Sequence, residues 1–512
     1  MGRVFKWYDI ALWGIANSAA SGLLIYSVQN LGRPGVFGAD ISLSYILGGI
    51  AFLPIVLSMI QVGMFVRDVG GPYVIISKAV SPYVAFISII FYMFASGAVL
   101  TTGFLSSLSV EFISVPIYLA GYYSGNGFLT GLGMILNSTT SVMVFSVLIV
   151  SSIWIVNTGG YKVVRRMLYF TTLFPLGVLL VLYMVALVYP SALSLSGSDL
   201  IDFESIKAIV FNAQEALKNN IQPLHHAEAR IATLNYAVVA FWSYLGLEIA
   251  GFLSGETREP EKSFIVGGLT SYIVIVASYL LAGSVVQAAG YDYLASYSYL
   301  YMYDPDSLLR FTVFETVLRP SLFLPYYLAF RQPILVLGLG FAGFLFFYNT
   351  VLTSWASSLR AVHAISVDGL FPRSLGEFDP DKGVYPSANN VVYAGALGGL
   401  ILGLISKEVP QFGLTMLRVF NFSYGVMLLF LGLALSIFGI ITFAGSGGSG
   451  VKYARPKVAS SVITGLLCFV IGLFIVASIG IGASVIDLVA VVTAGLAVSA
   501  LLVLLINQSF KR

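Results

Sequence analysis

Long apolar runs recur from one end of the chain to the other, roughly at 9–31, 41–66, 80–109, 140–156, 167–189, 231–253, 263–288, 333–359, 387–405, 413–442, 458–480 and 484–506. A helix that crosses a bilayer needs about 20 mainly apolar residues, and its backbone polar groups must be satisfied inside the hydrocarbon. Each run therefore predicts one spanning helix, and the fold class expected is an all-α polytopic membrane protein of twelve transmembrane helices. A β-barrel is excluded, because barrel strands alternate over about ten residues whereas these runs are continuous. Composition agrees: 58% of the residues are hydrophobic, 10% are charged and mean hydropathy is +0.92. The first run lacks a cleavage-site pattern and reads as a retained helix.

Lys and Arg concentrate in short cytoplasmic loops. With the N-terminus inside, 17 of the 26 fall on one side, among them Arg3, Lys6, Arg67, Lys78, Arg165, Arg258, Lys262, Arg360, Lys457 and Arg512. Both termini are thus expected in the cytoplasm, and the chain in the cell membrane. The net charge of +3 is a topology signal, and no basic run points to nucleic acid.

The outer loops carry two patterned stretches. Phe203, Ile206, Val210, Ala213 and Leu217 recur at spacings of three and four, which predicts an amphipathic helix over 203–217, either a lid or a solvated loop helix. Tyr291, Tyr293, Tyr297, Tyr299, Tyr301 and Tyr303 read as an aromatic belt at the membrane boundary. GSGGSG at 445–450 reads as a flexible connector. His225 and His226 lie near Glu228 without further ligands, so no metal is expected. Cys468 is the only cysteine and reads as a small core residue. No nucleophile–base pair or phosphate-cradling loop appears, and neither enzyme chemistry nor a cofactor is expected.

Two apolar runs contain weak points. Run one holds Ser18, Ala19, Ala20, Ser21 and Gly22 beside Asn17, and run six holds Tyr244, Leu245 and Gly246. These runs open two successive groups of five, 9–189 and 231–442, with 458–506 adding two helices, so paired defects fit an inverted repeat with discontinuous helices 1 and 6. A helix interrupted at membrane depth leaves main-chain groups without intrahelical partners. Free N–H groups after the first break would suit a carboxylate. Carbonyls near Asn17, Trp242 and Ser243 would face an ammonium. The candidate binding set is Asn17, Ser18, Ala19, Ala20, Ser21, Gly22, Phe241, Trp242, Ser243, Tyr244, Leu245 and Gly246, for an α-amino acid or related amine. The small residues of run one also suit close helix packing.

Glu248 follows the second weak point by two residues, and a carboxylate at that depth is costly unless protonated, paired or wet. It can exchange a proton as access alternates, or serve as a permanently protonated structural acid bonded to a neighbouring backbone carbonyl. Trp242 can close over a substrate or simply pack. Ser96 and Asn349 are candidates for the far wall.

The string WSYLGLE at 242–248 with GETREP at 255–260 resembles the amino acid-polyamine-organocation transporters, as do SGLL at 21–24, GGPY at 70–73 and VDGLFP at 367–372. The resemblance covers 9 to about 440 and implies the five-plus-five, leucine-transporter-like fold. It also implies a gating role for Trp242 and proton sensing for Glu248. Two departures stand out. Where some members carry a coupling lysine in span five, this chain has Pro175, and Thr353 and Ser354 in span eight keep sodium open as the coupling ion. The expected function is secondary active amino acid transport by alternating access, as symport or exchange. Alternatives are a polyamine or amine transporter of the same fold and an amino acid-binding membrane sensor. The sensor is disfavoured by the short stretches outside the first and last runs.

Overall fold

Helices follow one another along a computed structural model that describes residues 3–482, apart from 213, 215, 217–223, 226 and 446–454. Among the described residues 81% are helical and no strand forms, as the continuous apolar runs require. Nine helical stretches among the described residues are long and apolar enough to cross a bilayer, and one bent pair makes a tenth. The chain is a polytopic membrane protein.

In chain order the elements are α1 (Trp7–Ser18), α2 (Gly22–Gly32), α3 (Ile41–Phe65), α4 (Gly71–Ala79), α5 (Pro82–Ala95), α6 (Leu100–Ser124), α7 (Gly127–Leu136), α8 (Thr139–Thr158) and α9 (Tyr161–Val188). Then come α10 (Phe203–Phe211), α11 (Ala229–Ser243), the 3-10 helix α12 (Leu247–Glu256), α13 (Pro260–Ala289), α14 (Tyr291–Tyr303), α15 (Pro333–Val367), α16 (Pro386–Glu408), α17 (Pro410–Gly445) and α18 (Arg455–Gly482). Start signals are local: Asp40 accepts from Leu43 N–H at 2.9 Å to begin α3, and Pro opens α13, α15 and α16, where its missing N–H is no loss.

Packing brings α1 against α13 and α11 against α3. The long α15 runs beside α6 and α9, while α17 lies on α5 and pairs with α18. α12 packs against α1, α3 and α15, within a hydrophobic core that runs through the bundle.

Several expectations need correction. The run at 80–109 is one stretch of Pro82–Ser124, 43 residues, interrupted at Ser96–Val99. The second helix of the stretch, α6 with 25 residues, would alone rise about 37 Å, longer than the ~30 Å hydrocarbon core. The run at 333–359 continues to Val367 because its polar end stays inside the protein, with Arg360 and Ser366 buried. The amphipathic helix is interrupted at Asn212, which is extended (ψ 110°); Gln214 and Ala216 are helical again, and Ala213 and Leu217 lie outside the described residues. Phe203, Ile206 and Val210 do face inward. The tyrosines are not a lipid-facing belt: Tyr297 and Tyr299 are buried, and Tyr297 donates to Leu318 O at 2.6 Å. Only Tyr303 among the six is exposed. Cys468 is buried as a core residue should be. The run at 484–506, His226 and most of GSGGSG lie outside the described residues.

Candidate functional site

Both weak points become breaks, and the two breaks touch. α1 ends at Ser18, two residues leave the helix, and α2 restarts at a 46° angle. The restart, a π-helical turn over Gly22–Tyr26, has no side-chain cap at Ser21. Leu24 N–H reaches back to Ala20 O at 2.9 Å, so the N–H groups of Ser21, Gly22 and Leu23 occupy the first turn, where a helix supplies no carbonyl. α11 ends at Ser243, and the chain turns through Gly246, whose φ of 109° is a left-handed conformation that favours glycine. Unlike the first, this break carries no sharp bend: Ala229–Glu256 counts as one span.

Two glycines allow the contact. A Cβ on Gly22 would collide with Tyr279 Oη and lie 2.6 Å from Ser243 O. A Cβ on Gly246 would collide with Asn17 Oδ1 and lie 2.8 Å from the Asn17 carbonyl carbon. Each restart therefore abuts the end of the other helix.

The carbonyls at the break do not stand free, contrary to the sequence expectation. Ser243 O accepts from Tyr279 Oη at 2.5 Å, and Trp242 O accepts from Leu245 N–H at 3.3 Å. Tyr244 O and Leu245 O both accept from Ser18 Oγ at 3.1 Å. Asn17 O accepts from Thr350 Oγ1 at 3.3 Å. In hydrocarbon an unmade hydrogen bond costs several kcal/mol, so nearby hydroxyls hold these groups.

Glu248 is fully buried, and its Oε2 accepts the Gly246 N–H at 2.7 Å. The carboxylate caps the restart of its own helix two residues upstream. The structural reading had it bonded to a backbone carbonyl; it meets an N–H instead, which requires a lone pair. Tyr92 Oη donates to Oε1 at 3.4 Å, and the Tyr92 ring stacks on Phe252 at 5.4 Å. Trp242, half-buried, stands edge-on to Tyr424 at 6.0 Å.

Several candidate side chains turn away from the junction. Phe241 packs on Phe52 at 5.2 Å, and Tyr244 Oη donates to Tyr45 O at 2.8 Å. Asn17 points its amide at α15. Ala19 and Ala20 are buried, Ser21 and Leu245 half-buried. The far-wall candidates are buried too: Ser96 Oγ and Asn349 Oδ1 have no hydrogen-bond partner among the described residues. Asn349 Nδ2 donates to Thr172 Oγ1 at 2.7 Å, so Thr172 rather than Pro175 is the α9 residue that bonds α15 there.

Polar clusters that the sequence reading missed close both ends of the bundle. At the end bearing Arg3, buried Asp9 accepts from Arg165 Nε at 2.8 Å and Tyr169 Oη at 2.6 Å. Glu256 accepts from Arg360 Nη2 at 2.6 Å and Tyr385 Oη at 2.8 Å, with both ion-pair partners 8% exposed. The N-terminal segment is tied to the same loop, Val4 N–H donating to Glu256 O at 2.8 Å. At the opposite end, Arg319 holds Glu111 through contacts of 2.8 and 2.9 Å and lies over the Tyr301 ring at 5.4 Å. Asp9 at the head of the first apolar run and Glu111 just past the third were the available signal.

No family model and no curated protein matches the sequence.

Proposed function

We propose that the protein is a secondary active transporter of amino acids or related amines, of the five-plus-five inverted-repeat fold, with both termini cytoplasmic and a proton as coupling ion. The observation that carries the reading is the reciprocal contact of two interrupted helices at Asn17–Gly22 and Ser243–Gly246. Main-chain ends at membrane depth are tolerated where they line a binding site. The first turn after Ser21 offers N–H groups and a positive dipole end to a carboxylate. The carbonyls of Tyr244 and Leu245 would bind the ammonium once Ser18 Oγ rotates away. Their present bonds to that hydroxyl describe a closed, self-satisfied arrangement.

The repeat reading draws support from packing. Exchanging spans one with six, two with seven, three with eight and five with ten turns the α1–α13 contact into α11–α3. It also turns α9–α15 into α17–α5, and each of these pairs is in contact. Clusters at both ends, Glu256–Arg360 and Glu111–Arg319, would serve as gates that open alternately. A place in the amino acid-polyamine-organocation family is proposed on the resemblance of WSYLGLE, GETREP, SGLL, GGPY and VDGLFP. Trp242 would close over the substrate, and Glu248 would exchange the coupling proton.

Radiolabelled amino acid uptake into proteoliposomes under an imposed pH gradient tests the proposal. Accumulation that follows the gradient is expected for at least one amino acid. A flat response across all twenty, with intact protein in the vesicles, would overturn it.

A further inference from the structure

Asn17 Nδ2 sits inside a ring of oxygens supplied by one turn of α15. It donates to Thr353 Oγ1 at 2.8 Å, Ser354 Oγ at 3.0 Å and Thr350 O at 3.3 Å. A backbone carbonyl only accepts, so the Thr350 contact fixes which end of the amide faces the ring. The Thr353 hydroxyl has two backbone acceptors of its own, Asn349 O at 3.0 Å and Thr350 O at 3.1 Å, so its proton points along the helix and its lone pair at Asn17. All four residues are buried, none more than 8% exposed. Three acceptors converge on an NH₂ group that has only two protons. Such an excess of inward oxygens, hard ligands near an interrupted helix, is the environment of a desolvated monovalent cation.

The geometry points to a cation-sized oxygen cradle that the chain fills with its own amide: Asn17 Nδ2 occupies the place of a sodium ion, and the wild-type protein takes none. A neutral amide satisfies the oxygens without the penalty of burying a charge, and it locks α1 to α15 permanently, where an ion would come and go. Asn17 thereby decides the coupling ion, removing sodium and leaving the proton. That last step rests on the transport reading; the cradle does not.

The test is thermal unfolding of the purified chain in detergent, in sodium chloride against choline chloride, for wild type, Asn17→Asp, Asn17→Ala and Asn17→Asp with Thr353→Val and Ser354→Ala. Wild type is expected to melt at the same temperature in both salts. Asn17→Asp replaces the donor with an anion facing oxygens, and sodium should raise its melting temperature by about 2 °C or more. The triple variant should lose that rise. A wild type stabilised by sodium overturns the inference, as do Asn17→Asp and Asn17→Ala that fold yet ignore sodium. Should neither variant fold, the wild-type comparison still decides. Absence of amino acid uptake would count against the transport reading and leave this readout untouched.

Discussion

Residue by residue, the site depends on groups too small or too polar for an ordinary membrane helix. Gly246 combines φ of 109° with a neighbour where a Cβ would go. Gly246→Ala should destabilise by about 1–3 kcal/mol through backbone strain alone, with more from the collision with Asn17. A lowered melting temperature and lost uptake would register both. Glu248→Gln keeps the side-chain volume and an oxygen acceptor for the Gly246 N–H but cannot carry a coupling proton. Its uptake should persist at reduced rate and lose its response to an imposed pH gradient. An unchanged pH response would remove Glu248 from coupling. The carboxylate was legible in the sequence because it interrupts an apolar run. What it bonds to was not, since a two-residue backward reach to an N–H depends on the turn at Gly246. The facing of Asn17 was likewise hidden: its amide partners lie 333 to 337 residues away.

At the level of elements, helix existence was legible and helix ends were less so. Runs of about 20 apolar residues announce spans because the bilayer has one thickness. They do not announce where a helix continues beyond it, as at Pro82–Ser124, or where a polar stretch such as Arg360–Ser366 remains helical because protein surrounds it. The tyrosine cluster misled for a related reason: amphipathic rings suit a lipid interface and equally suit the packing of α14 against α10. The buried pair Glu256–Arg360 ties α12 to α15. Removing one partner leaves the other charge uncompensated, so Arg360→Ala should destabilise by about 3–5 kcal/mol. The double change Arg360→Met with Glu256→Leu should recover most of the melting temperature. Recovery by the double variant together with a higher passive leak of substrate would assign the pair to closure of that end, beyond any part it has in stability.

Across the whole molecule, the two helix breaks meet because the chain packs Gly22 against Ser243 and Gly246 against Asn17. The sequence carried the breaks, through Ser18–Gly22 and Tyr244–Gly246, and the order of the spans. It did not carry the hydroxyls of Ser18 and Tyr279 that hold the break carbonyls, because such contacts join residues far apart in sequence. Recognition by main-chain ends, as proposed, would make a demand that no side-chain pocket makes: the ligand would have to present both a free carboxylate and a free ammonium. Thermal shift with a transported amino acid, its methyl ester and its N-acetyl derivative measures this directly. The unmodified amino acid is expected to raise the melting temperature, and both blocked forms to leave it unchanged. Equal stabilisation by the ester and the N-acetyl compound would contradict a zwitterion site between the two breaks.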